Sequence, residues 1–148
     1  MLLRHLVSKS RMSAYIDPRP DAIAAFLQRA HAAPVVMLNL LRFRETAGYE
    51  AHPDLAPPSP ISGGEAYAVY LRHTRPFIAK YGAEVIVHGR GEAFLIGPDG
   101  PTWDAVLVVR YPSVNAFLGL AQDPDYLAGA GHRTAALADS RLLPLDTG

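Results

Sequence analysis

Pro34 is followed by the run Val35-Val36-Met37-Leu38-Asn39-Leu40-Leu41-Arg42-Phe43, interrupted only by Asn39 and Arg42. Its β-branched opening and its length suit a strand, and a strand that is apolar on successive residues needs cover on both faces. The fold must therefore place a layer above and a layer below this segment, and the rest of the chain has to supply them.

The elements around it are punctuated clearly. Before the run, Tyr15 to Pro20 is too rich in proline for regular helix. Asp21 then offers an N-cap, and Ile23, Phe26, Leu27 and Ala30 recur at helical spacing. After the run, residues 44–61 contain Pro53, Pro57, Pro58 and Pro60 and form a long irregular excursion, expected to cross the surface and cover a cleft. Ser62-Gly63-Gly64-Glu65 matches a capping box, and the helix it opens carries Ala66, Val69, Tyr70, Phe77 and Tyr81 on one stripe, with Gly82 as its stop. Glu84 to Arg90 and Trp103 to Tyr111 read as strands joined through Gly97-Pro98-Asp99-Gly100-Pro101, which is turn chemistry. Ser113 caps a short helix. Asp123-Pro124 starts another that is expected to continue through Tyr126, Leu127, Ala130 and Leu137, before a last strand over Ser140 to Leu145.

Strand, helix, strand, strand, helix, strand is the order of a ferredoxin-like α+β fold, βαββαβ, an antiparallel sheet with helices on one face, here preceded by an N-terminal helix. Residues 1–34 are read as an arm and helix, and 35–148 as the domain proper. The second sheet face is expected to expose Met37, Leu41, Ile86, Val106 and Val108, too much apolar surface for a monomer, so a homodimer packed sheet to sheet is expected.

Composition removes several classes of function. With 49% hydrophobic and 19% charged residues the chain is no disordered segment. Fourteen basic residues balance fourteen acidic ones, against the basic excess of a nucleic-acid or membrane-surface binder, and neither partner is expected. There is no cysteine, which removes disulfides and thiolate chemistry. Arg4 and His5 break the apolar N-terminus, so MLLRHLVSKSRM is read as a loose arm or an extension ahead of a second start at Met12, and the expected location is cytoplasmic.

Several blocks resemble a known family in order and spacing. They are Val36 to Phe43; Gly64-Glu65-Ala66-Tyr67 with Tyr70; Trp103-Asp104; Tyr111-Pro112-Ser113 with Phe117; Asp123-Pro124-Asp125-Tyr126; and Arg133 with Asp139-Ser140-Arg141-Leu142. Together they resemble the family called domain of unknown function 1330. The resemblance implies a dimeric α+β barrel and implies no established reaction. The wider superfamily spans cofactor-free monooxygenases, isomerase-like enzymes, haem peroxidases and ligand sensors, and fold analogy of that breadth selects no chemistry.

Period-two alternation assigns faces. Val36, Leu38 and Leu40, then Val85 and Val87, then Ala105, Leu107 and Val109 are expected beneath the helices. Asn39, His88, Arg90, Asp104 and Arg110 then fall together toward the barrel interior or dimer cleft. Such groups either pair with one another, for instance Asp104 with Arg110, or hold a ligand. His88 is the candidate acid/base, since imidazole exchanges protons near neutrality. Arg90 or Arg110 suits a carboxylate or enolate, and Asn39 a carbonyl. Tyr67 and Trp103 are candidate lining for an aromatic ligand, although tyrosines at helical spacing also build core.

No two of the six histidines stand at HxH or HxxxH spacing, so no metal and no cofactor is expected. Gly89-Arg90-Gly91 lacks the third glycine and the following helix of a dinucleotide loop. The third strand carries no central stacking aromatics for RNA. The expected function is a homodimer that binds a small anionic or carbonyl-bearing molecule. The alternatives are a cofactor-free monooxygenase- or isomerase-like enzyme using His88, and a purely structural dimer.

Overall fold

The apolar run forms the strand β1, Val35–Phe43, in a computed structural model that describes residues 14–29, 32–100 and 102–147. β1 is central, as its pattern requires. It pairs antiparallel with β3 (Ala105–Tyr111) from Val35 opposite Tyr111 to Leu41 opposite Ala105. On its other side it pairs with β4 (Leu137–Leu145), from Val36 opposite Leu145 to Phe43 opposite Leu137. β2 (Glu84–Arg90) joins β3 at the edge, giving the order β2-β3-β1-β4. The helices are α1 (Pro20–Leu27), α2 (Gly63–Lys80), α3 (Val114–Gln122), α4 (Pro124–Leu127) and α5 (Gly131–Ala136). This is the ferredoxin-like α+β arrangement expected from the order of elements.

The capping box at the start of α2 is formed in full. The Glu65 N–H donates to Ser62 Oγ (3.0 Å) and the Ser62 N–H to Glu65 Oε1 (3.2 Å). Asp123 caps α4 by accepting the Asp125 N–H (3.0 Å). Its other oxygen accepts from Lys80 Nζ (2.8 Å) and the Tyr81 hydroxyl (2.7 Å), tying α4 to the end of α2. These hydrogen bonds, the one from Lys80 foremost, hold the Asp123 carboxyl well below the usual carboxylate range.

The sheet faces differ from the expectation in two places. Met37 and Leu41 do not lie on the bare face. They are buried under the helices with Val35, Ala105, Leu107, Val109 and Tyr111, against Ala66, Tyr67, Tyr70, Leu71 and Ile78 of α2. The ladder puts Leu38 and Leu40 on the other side, opposite Val108 and Val106. β1 is apolar on both faces, so alternation within it carries no sign of which face meets the helices. In β2 the register shifts between Val85 and Val87, which pair with the consecutive residues Val109 and Val108. The inserted residue turns the rest of the strand over, and every side chain beyond a one-residue slip changes face. His88 and Arg90 thus share the face of their partners Leu107 and Ala105, beneath the helices, while Val87 joins the bare side with Val108.

The helix expected from Pro124 to Leu137 is broken. Residues 128–130 are a turn, and Leu137 already belongs to β4. Glycine at 129 and 131 lets other side chains press in, since a Cβ at Gly129 would meet the His73 ring and one at Gly131 the His52 ring and Leu55. At α1, Pro20 rather than Asp21 is the first helical residue, and Arg19 precedes it without a side-chain cap. The expected arm over Met1–Met12 and Ala30 lie outside the described residues.

The excursion after β1 is irregular save for a 3₁₀ turn at Pro53–Leu55. Its middle is fastened to α5, with the Gly48 N–H on the Ala135 carbonyl (2.9 Å) and the Tyr49 hydroxyl on His132 Nδ1 (2.8 Å). Residues 15 and 16 run beside β4. The Tyr15 N–H donates to Asp139 Oδ1 (2.9 Å), and Arg133 Nη1 donates to the Ile16 carbonyl (2.8 Å).

Candidate functional site

A cleft of about 610 Å³ opens on the helix side of the sheet, where α2 begins and β2 ends. Phe43, Arg44 and Glu45 form one wall as β1 leaves the sheet, and Ser62, Gly64, Tyr67, Ala68 and Leu71 of the cap and first turns of α2 form another. His88, Arg90 and Asp104 complete it, with Ala105 and the glycines at 89 and 91. The volume lies in the ordinary range for a small-molecule site.

Each wall follows from a local cause. The capping box fixes where α2 starts, and helical spacing brings Tyr67, Ala68 and Leu71 to one side. Gly63 gives its N–H to the Arg44 carbonyl (3.0 Å), which locks that start against the end of β1. The bulge in β2 delivers His88 and Arg90 to this side. Both are exposed, at the mouth of the cleft, whereas Tyr67 is only 3% exposed.

The polar groups divide by occupation. Arg44 Nε donates to the Leu137 carbonyl (3.2 Å). Asp104, just ahead of β3, accepts the Phe43 N–H (2.7 Å), so its carboxylate secures the chain at the cleft wall. Burial, with Tyr70 and Tyr111 adding to it, raises the Tyr67 phenol well above the usual tyrosine range, so it stands as a neutral O–H donor. The Phe43 and Tyr67 rings lie 5.4 Å apart and 37° from coplanar, a flat aromatic corner.

Of the residues expected to form a site, His88, Arg90, Tyr67 and Asp104 come together here. Asn39, Arg110 and Trp103 do not. Asn39 Nδ2 donates to the Leu107 (3.0 Å) and Met37 (3.4 Å) carbonyls and is spent on the sheet itself. Arg110 pairs across from Val36 and Glu84 on the opposite face, so it neither meets Asp104 nor shares a side with His88. Trp103 stacks under the guanidinium of Arg42 (4.6 Å) and beside that of Arg141 (5.1 Å), while Asp139 bridges the two arginines. Sequence reasoning missed Phe43, Arg44 and Ser62 as lining. The capping box was the available signal, because it fixes Ser62 at the mouth of α2.

A ferredoxin-like sheet with an open cleft between its edge strand and its long helix defines the class of protein. Residues 60–144 match the family model for a domain of unknown function, DUF1330, and the chain belongs to that family. β1 lies ahead of the matched segment although it is the centre of the sheet.

The methylated RPA0582 protein has a crystal structure similar to this chain, at 39% identity and a TM-score of 0.82, covering 93% of this chain and 97% of that one. A second crystal structure of RPA0582, described as a protein of unknown function from Rhodopseudomonas palustris, matches at 39% identity and TM-score 0.78, covering 90% and 96%. SnoaB, a cofactor-independent oxygenase from Streptomyces nogalater, is 15% identical with a TM-score of 0.50 over 79% of this chain and 95% of that one, a likeness of fold alone. No functionally curated protein matches the chain. Among the described residues, no helix is long and apolar enough to cross a membrane.

Proposed function

We propose that the protein is a homodimer whose protomers each bind a small carboxylate or carbonyl compound in the cleft between α2 and the edge of the sheet. The observation that carries this reading is the convergence of His88 and Arg90 at the mouth with Tyr67 and an apolar wall inside one cavity. Arg44 and Asp104 are engaged with backbone, so Arg90 and His88 are the side chains placed to meet an incoming anion. Isothermal titration with benzoate is the test. Arg90→Ala should weaken binding about tenfold or more, the scale of one charge-assisted hydrogen bond, and His88→Ala by less. Both side chains are exposed, so the melting temperature of each variant should stay at the parent's. Failure of benzoate to bind, or variants that bind as the parent does, would contradict the reading.

Support for the dimer is the face without helices. Leu38, Leu40, Val106 and Val108 lie there, with Val87 47% and Leu143 53% exposed. An apolar surface of this kind is the usual mark of an interface. Sedimentation at micromolar concentration should give twice the 16.0 kDa of the chain, and Val108→Asp should return the single-chain mass.

A further inference from the structure

We infer that Tyr67 sets the specificity of the cleft, selecting a flat ring that carries a carbonyl oxygen at the end opposite its carboxylate; the inference rests on the binding reading above. Four tyrosine hydroxyls near the helices are satisfied by the protein; of the buried pair Tyr67 and Tyr111, to whose hydroxyls no described residue hydrogen-bonds, only Tyr67 lines the cleft. Tyr70 and Tyr126 bond each other (2.8 Å), Tyr49 bonds His132 (2.8 Å), and Tyr81 donates to Asp123 (2.7 Å). Tyr67 is buried to 3% exposure and lines the cleft, yet no described residue hydrogen-bonds its hydroxyl. The hydroxyl is not sealed from solvent, since Thr74 Oγ1 is the fully buried side-chain oxygen left without a partner among the described residues, and an unpaired hydroxyl at the wall of an open cleft is placed for a ligand atom.

The chemistry of that atom follows from the phenol. A neutral phenol carries one proton to donate and a weaker acceptor lone pair, and a carbonyl oxygen on the ligand takes the stronger of the two, the donor. Phe43, tilted beside the Tyr67 ring at 5.4 Å, with Ala68 and Leu71, offers apolar surface suited to a flat ring. Arg90 and His88 are exposed while Tyr67 is deep, so the anionic end lies outward and the neutral acceptor inward.

The test compares 4-acetylbenzoate with benzoate by isothermal titration, on the parent and on Tyr67→Phe. The parent should prefer 4-acetylbenzoate about tenfold, the scale of one buried hydrogen bond. Tyr67→Phe should erase that preference, so that the variant binds 4-acetylbenzoate and benzoate equally. Equal affinities in the parent, or a preference that survives in Tyr67→Phe, would overturn the role of Tyr67 while leaving the cleft a binding site. If neither acid binds the parent, the binding reading itself fails and the specificity falls with it. The parent's own preference is read without any variant, so the inference stays testable should Tyr67→Phe fold poorly.

Discussion

Gly63→Ala should destabilise the protein by about 3 kcal/mol or more, among the largest effects of any single added methyl group in this fold. A Cβ at Gly63 would lie 2.3 Å from the Arg44 carbonyl oxygen, 2.6 Å from the Ala136 carbonyl oxygen and 2.6 Å from the Arg44 nitrogen. All three are backbone atoms, and they belong to the ends of β1 and α5, which meet the start of α2 at this point. No rotamer change relieves the contact, because the Arg44 N–H is itself bonded to the Ala136 carbonyl (2.8 Å). Relief requires moving α2 away from the sheet, which also opens the cleft. Gly64→Ala is the control. Its Cβ would meet the Phe43 ring at 3.6 Å, an ordinary contact, so the gain in helix propensity should leave stability unchanged or raised by up to about 1 kcal/mol. Urea unfolding of the two variants reads the difference. Equal midpoints would mean that α2 does not start where the capping box places it.

Leu41→Ala should cost about 2–5 kcal/mol, the range for truncating a fully buried leucine. Leu41 is 0% exposed, on the helix side of the central strand. Its neighbour Leu40 faces the other way, opposite Val106. Leu40→Ala should therefore cost less, and in the proposed dimer its cost should depend on protein concentration, because there it would lose contact with a second copy. The cost of Leu41→Ala should not. If the two variants behaved alike at all concentrations, the assignment of faces in β1 would be wrong.

That assignment is where sequence and structure part. Element order, the capping box, Gly82 as the stop of α2, and the centrality of β1 were all legible, because each rests on a local rule: apolar continuity, cap chemistry, or backbone freedom at positive φ. Gly82, with φ of 71°, sits where such a stop should. The facing of β1 and of β2 beyond its bulge was not legible, whereas β3 alternates cleanly and its set Ala105, Leu107 and Val109 lies beneath the helices as expected. Met37 and Leu38 are equally apolar, and nothing local says which of them the helices will cover. The bulge in β2 leaves no composition signal either, since Val85-Ile86-Val87 is a uniform β-branched run. Yet it decides the lining of the cleft, by turning His88 and Arg90 to the side of Tyr67 and away from Arg110. The break after Leu127 is tertiary in part. Gly129 and Gly131 weaken the helix at this point, and the turn receives the His73 side chain.

The most direct test of a ligand cleft on the helix side is nuclear magnetic resonance of isotope-labelled protein titrated with 4-acetylbenzoate. Chemical-shift changes should gather on Tyr67, Ala68, Leu71, His88 and Gly91, which line one cavity. The resonances of Leu38, Leu40, Val108 and Arg110, across the sheet, should hold still. Changes centred on that second group, or none on the first at saturating acid, would contradict the cleft as the site of function.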